Sequence, residues 1–179
     1  MSPWLTELQA VLRDGPPTDA FAALATVDGD GHPRARMVVM RAVRTGPVRV
    51  RFTADGRSAK VRQLAGQARA ELCWYPASRW VQFRLAGPVG VVSDPGERQA
   101  LWAALTPGTR ANFLGGPPGQ PLGGAGPDAT AHDPHPPATF ALLEMTVDAV
   151  DVVDLRSGAA QRTRWVRHAG DWQPEALNP

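Results

Sequence analysis

Apolar and polar positions alternate along most of this chain with a period of two, and strand-like segments follow one another with short turns between them. FAALATV (21–27) alternates, and the glycine- and aspartate-rich DGDGH (28–32) after it reads as a hairpin turn. The next strand, 34–43, places Arg34, Arg36, Val38 and Met40 on one face and Ala35, Met37, Val39 and Arg41 on the other. After the turn Thr45-Gly46-Pro47, strand 48–54 has Val48, Val50 and Phe52 on an apolar face and Arg49, Arg51 and Thr53 on a polar one. Further strands are predicted at 68–75, at 79–92 with a bend at Gly87-Pro88, at 139–155 as one long and bent strand, and as a closing pair at 162–168 and 172–177.

Helical spacing is confined to short stretches. Trp4, Leu5, Leu8, Val11 and Leu12 mark a helix over 4–13, closed by Asp14-Gly15 and two prolines. Ser58 is placed to cap a helix running to Gly66, and Ser93-Asp94-Pro95 opens one running to about Leu105. A further piece follows around 109–114. About seven strands in hairpin connection, with three or four short helices, predict a mainly β fold: an antiparallel barrel with helices at its ends. The 179 residues read as one domain, 1–179, with an N-terminal helix within 1–15. Gly115 to Pro137 is rich in glycine and proline and too long for an ordinary loop, so it is either partly disordered or a cover over a site.

Composition narrows the chemistry. Hydrophobic residues make up 43% and charged residues 20%, the balance of a soluble globular protein. The net charge of +2 suits small anionic ligands better than a nucleic-acid face, which needs a dense basic stripe. Cys73 is the single cysteine, which excludes an internal disulfide and fits a reducing compartment. No apolar run is long enough to span a membrane, and no basic segment followed by an apolar run suggests a signal peptide, so a cytoplasmic location is expected. Motifs of other chemistries are missing: GDGHP is not a dinucleotide-binding fingerprint, and there is no phosphate-binding P-loop. His132 and His135 sit in a proline-rich context with no fixed geometry, so no metal site is assigned.

The best candidate site is the group Arg36, Arg41, Arg57, Ser58 and Lys60. A strand delivers cations to a helix start, where free backbone N–H groups and a hydroxyl make a phosphate-sized cradle. Lys60 is the one lysine in the chain. Gln82, between apolar Val81 and Phe83, offers an amide that both donates and accepts, suited to a heterocycle edge.

These residues resemble a known family. RMVVMR (36–41), FT (52–53), RSAK (57–60) and QFRLAG (82–87), together with Arg162 and the closing Trp172 and Leu-Asn-Pro, follow the order and approximate spacing of the pyridoxamine 5′-phosphate oxidase-like flavoproteins. The resemblance implies a split β-barrel and a homodimer with FMN at the subunit interface. It places Arg36, Ser58 and Lys60 at the FMN phosphate, where Arg57 is expected to join them, and Met37, Val39 and Arg41 along the ring. Phe52 and Thr53 would add backbone and hydroxyl contacts, Gln82 would lie near the flavin, and Arg162 would reach the cofactor from the second subunit.

Departures from the family pattern are equally specific. Ala59 replaces the middle arginine of the family's Ser-Arg-Lys cluster, and Arg57 is the expected substitute for that charge. Trp102, Thr106 and Arg110 stand near where the family binds substrate phosphate with Tyr, Arg and Ser, and the late Arg-Leu-His motif is missing. The reading is therefore an FMN-dependent oxidoreductase with an altered substrate site. The alternatives are a non-enzymatic flavin or haem carrier, for which His32 or His168 would be the axial ligand, and a dimeric scaffold without cofactor.

Overall fold

A computed structural model describes residues 2–121, 132–168 and 170–179. Among the described residues there are nine strands: β1 (Phe21–Val27), β2 (Pro33–Arg44), β3 (Arg49–Asp55), β4 (Arg69–Trp74), β5 (Val81–Val91), β6 (Phe140–Thr146), β7 (Ala149–Asp154), β8 (Gln161–His168) and β9 (Asp171–Leu177). Their order is β4-β1-β2-β3-β6-β5-β7-β8-β9, and β4 also pairs with β5. That extra pairing closes β4, β1, β2, β3, β6 and β5 into a six-stranded antiparallel barrel, and β7, β8 and β9 continue outward from β5. The mainly β split-barrel expectation holds, with more strands than the seven expected.

The barrel interior is filled by the inward parity of each strand. Leu24, Val38, Met40, Val50, Phe52, Leu72, Phe83 and Leu85 are all buried. Helix α1 (Pro3–Asp14) adds Trp4, Leu5, Leu8 and Val11 to the same core, as its spacing predicts. Helix α2 (Ala59–Gly66) contributes Leu64. A second, smaller core lies under α3 (Pro95–Ala104) and α4 (Pro107–Ala111). There Trp102, Phe113 and Phe140 meet edge to face at centroid distances of 5.0 to 6.0 Å.

The predicted strand 139–155 divides in two. Its register against β5 shifts by one residue between Met145, opposite Val89, and Ala149, opposite Ala86. At the break the Val147 amide donates to Val48 O and the Asp148 amide to Ala86 O. The first half turns into the barrel to pair with β3, and the second leaves it to pair with β8. Gly87 makes this possible: a Cβ there would stand 1.9 Å from the Thr146 carbonyl oxygen, so only glycine admits the close approach. The bend expected at Gly87-Pro88 is thus a change of partner along one continuous strand, β5.

Of the glycine- and proline-rich segment 115–137, residues 122–131 lie outside the described residues. Its flanks are tied down. Gly115 O accepts from Arg57, while Asp133 O and Pro134 O accept from the Trp102 and Gln99 side chains of α3.

Candidate functional site

The α2 start brings together three of the four residues expected at a phosphate. Strand β3 ends at Asp55, the chain turns through Gly56, and α2 begins at Ala59 with Ser58 at the N-cap. The Ser58 hydroxyl does not cap the helix as expected. It turns back and donates to Asp55 O at 2.6 Å, and Lys60 Nζ donates to the same hydroxyl at 3.3 Å. At the α2 start the Val61 amide donates to Ser58 O at 3.1 Å, which leaves the Ala59 and Lys60 amides as the open donors of the first turn.

Arg36 reaches this corner from β2. Its guanidinium donates to Leu24 O, to Thr26 Oγ1 and, at 2.7 Å, to Gln63 Oε1. All three acceptors are neutral. Burial, with a contribution from Arg34, pushes the Arg36 pKa down, and burial together with Arg36 holds Lys60 below the usual lysine value. Asp55 opposes that shift only weakly. Two half-buried cations therefore share a corner with no carboxylate between them.

Arg57 behaves differently. It makes a two-pronged pair with Asp55, at 3.0 and 2.7 Å, and donates to Gly115 O at 2.9 Å. Its expected role as a replacement for the missing charge at Ala59 meets a guanidinium already engaged by Asp55.

Met37 and Val39 lie on the outer face of β2, Met37 with 58% of its surface exposed. Arg41 follows them at a bulge: Met40 pairs with Phe52 and Ala42 with Arg51, which leaves Arg41 as the extra residue. Its Nε is buried without a hydrogen-bond partner. Phe52 is fully buried, so its side chain belongs to the core and only its backbone remains for a ligand; half-buried Thr53 is on the other face of β3.

Gln82 and Arg162 stand elsewhere. Gln82 is opposite Val153 and Val153 is opposite Arg162, so the three form one row across β5, β7 and β8 on the sheet's outer face. Arg162 is held by Asp151 at 2.9 and 2.7 Å, and that bond keeps the Asp151 carboxyl below the usual carboxylate range. From Met37 on β2 the outer face runs through Ala23, Cys73 and Arg84 to Asp151. Strand β5 is three strand spacings from β2, roughly 14 Å. On the outer sheet face the residues expected around one flavin thus fall into two groups, Met37 with Val39 and Gln82 with Arg162, while Arg36 shares the inward parity of Leu24 and meets the α2 start at the barrel end. Phe21, Val27, Met37, Tyr75, Trp80 and Leu155 leave this face apolar and exposed.

Three functional-looking residues escaped the sequence reading. Thr26 is a buried hydroxyl on the apolar parity of FAALATV, and Gln63 is one turn beyond Lys60 on α2; together they orient Arg36. The polar residue on an apolar face was the available signal. Glu97 of α3 is the third, pairing with Arg51 and Arg44.

The positions expected for a substrate phosphate have structural contacts. Trp102 is completely buried in the second core, Thr106 caps α4, and Arg110 donates to Trp102 O and Ala103 O. His32 and His168 are exposed at strand ends. Among the described residues, Asp28, Asp30 and His32 offer the one cluster with metal-ligand spacing. Its Asp28 carboxylate already accepts from two backbone amides and Arg34, which bring it down to about 2.

Comparisons with known proteins agree with this architecture. Residues 1–93 match the family model described as pyridoxamine 5′-phosphate oxidase, FMN-binding domain. A pyridoxine/pyridoxamine 5′-phosphate oxidase of Arabidopsis thaliana is 29% identical over 175 residues, covering 89% of this chain and 87% of that protein. The Rhizobium etli enzyme of the same name is 36% identical over 127 residues, covering 66% of this chain and 55% of the relative, so the match spans about half of that protein. A pyridoxamine 5′-phosphate oxidase-related, FMN-binding protein of Nostoc punctiforme superposes with a TM-score of 0.83 at 31% identity, covering 100% of this chain and 99% of the other. With the closed six-stranded barrel and the family model over its first half, the chain belongs to the pyridoxamine 5′-phosphate oxidase family of FMN-binding split barrels.

Proposed function

We propose that this protein binds FMN as a homodimer and works in the cytoplasm as an FMN-dependent oxidoreductase, the whole chain 1–179 serving as one FMN-binding domain. The observation that carries the reading is the Arg36–Lys60 corner. Half-buried cations are costly unless a counter-charge meets them, and here the side chains bonded to them are a threonine, a glutamine and a serine, the nearby Asp55 being paired with Arg57. A phosphate monoester dianion fits this donor set of two cations and the Ala59 and Lys60 amides, and the Ser58 hydroxyl joins it only by turning its proton away from Asp55 O.

Arg36, Ser58 and Lys60 would hold the phosphate, with Thr26 and Gln63 orienting Arg36. Met37, Val39 and Arg41, further along β2, would lie beside the ring. FMN, when bound, supplies the electron-transfer chemistry, so the protein's part is to position it and to exclude water. The separate group of Gln82 and Arg162 supports a dimeric site. A two-fold axis across the exposed apolar face would set one protomer's Gln82 and Arg162 against the partner's β2.

The substrate site is altered relative to enzymes that bind a vitamin B6 phosphate. Trp102, Thr106 and Arg110 are engaged in packing, capping and backbone contacts, which supports a different substrate. The test is to saturate the purified protein with FMN, pass it over a desalting column, and record its visible spectrum and its mass in solution. Retained flavin absorbance at one FMN per protomer of a dimer is the expected result. A colourless eluate would end the proposal.

A further inference from the structure

Trp80 stands in a backbone conformation that its own side chain opposes. It precedes β5 with φ 53° and ψ 35°, in the left-handed region that favours glycine, and among the described residues it is the one non-glycine residue at positive φ. The surrounding frame imposes that conformation. Asp19 is buried, its carboxylate accepts from the Ser78 hydroxyl, and its carbonyl accepts from Trp74 Nε1 at 2.6 Å. The Arg79 amide donates to Pro76 O and the Leu155 amide to Trp80 O, each at 2.9 Å. The backbone is thus held on both sides, yet the indole is 60% exposed, and no ring of the described residues packs on it. Strain that supports no packing within the protomer points to a contact made outside it.

The sheet register locates that contact. Trp74 is opposite Phe83, so Tyr75 stands beside Gln82, and Ala22 is opposite Trp74, so Phe21 stands beside Tyr75. Phe21 in turn is opposite Val39 of β2. Trp80 lies two residues before Gln82, roughly 7 Å along the chain. Exposed Phe21, Tyr75, Trp80 and Leu155 therefore gather at one end of the outer face, around Gln82. We propose that Trp80 is a wall of the flavin site across the dimer: the indole of one protomer packs on the isoalloxazine ring carried by the partner's β2. The inference rests on the dimeric FMN reading and deepens it by naming the side chain that fixes the ring. A flat conjugated ring offers the faces an indole packs on, and an indole whose backbone is already set loses little freedom on binding.

The full-length protein, stripped of flavin, is titrated with FMN and read by flavin fluorescence, with its mass in solution and its urea midpoint measured alongside. Trp80→Gly, which the left-handed backbone accepts, should bind FMN about tenfold or more weakly than the original protein. Its mass should stay that of the original dimer, and its midpoint without FMN should hold or rise, because the opposed side chain is gone. Trp80→Phe restores an aromatic face and should recover most of the lost affinity. Trp80→Asn, also tolerant of this backbone, repeats the test if Trp80→Gly does not fold. In a Lys60→Met background Trp80→Gly should cost the same factor again, since ring and phosphate are separate ends of the ligand. Unchanged FMN affinity in Trp80→Gly, with the original protein retaining FMN, would overturn the inference and leave the flavin reading standing. A lower urea midpoint, a monomeric Trp80→Gly, or an equal loss in Trp80→Phe would also overturn it, by making the indole a prop of the fold or of the subunit contact. An original protein that retains no FMN would end the flavin reading itself, and this inference with it.

Discussion

Two clusters of basic side chains flank β3, and they differ in whether a carboxylate meets each cation. On the α3 side Arg49, Arg51 and Arg44 alternate with Glu144 and Glu97 in a continuous chain, with contacts of 2.5 to 3.2 Å. At the α2 end Arg36 and Lys60 share a corner with neutral acceptors only. Both clusters are partly buried, so burial alone does not distinguish structure from function. Compensation does. A chain in which every arginine meets a carboxylate joins α3 to the barrel wall, whereas the proposed phosphate would be the anion that the Arg36–Lys60 pair lacks.

Breaking the carboxylate-linked chain should have the largest effect. Arg51 is 5% exposed and bonds both Glu97 and Glu144. Glu144→Leu leaves Arg51 and Arg49 short of an anion and should cost about 3 kcal/mol, the lower end for removing one partner of a buried pair. Urea denaturation would measure it. FMN affinity of the folded variant should not change, and a loss of affinity matching the loss of stability would erase the distinction between the clusters.

Substitution in the unbalanced pair should do the reverse. Lys60→Met should weaken FMN binding about ten- to a hundredfold, about 1.4 kcal/mol per factor of ten, as read by fluorescence quenching of added flavin. Stability of the FMN-free variant should hold or rise, because a desolvated charge beside Arg36 has been removed. Arg57→Met sharpens the point: since Asp55 already occupies its fork, FMN affinity should fall by less than about threefold. Equal losses for Lys60 and Arg57 would show that proximity to the helix start, not compensation, decides.

Much of this contrast was half legible in the sequence. The strand FAALATV was read with its observed bounds, and RSAK after a strand correctly placed Ser58 and Lys60 at the α2 start. Periodicity reports local geometry, and those features are local. It could not show that Arg57 would close on Asp55, two residues away, because the same spacing permits a cradle facing outward. Nor could it show Glu97 meeting Arg51 across 46 residues of sequence. The single strand expected over 139–155 failed for a related reason. Alternation passes through Val147 and Asp148 unbroken, and the division comes from a change of partners around Gly87.

The finest separation between the clusters is a proton. Arginines stay charged across the working range, so the α3 chain gives no pH dependence of its own near neutrality. Lys60 has its folded-state pKa lowered, by burial first and by Arg36 second. Between that lowered value and the ordinary lysine value the unfolded chain holds a proton that the folded FMN-free protein does not. Stability of the FMN-free protein should therefore rise as pH rises through this interval. FMN binding should show the opposite slope. A phosphate dianion favours charged Lys60, so affinity is full below the lowered pKa and declines as pH passes through it. Lys60→Arg keeps the charge and should flatten the affinity profile relative to the original protein, with the flavin's own titration common to both. Affinity and stability that vary with pH in the same direction would mean that Lys60 does not face the phosphate.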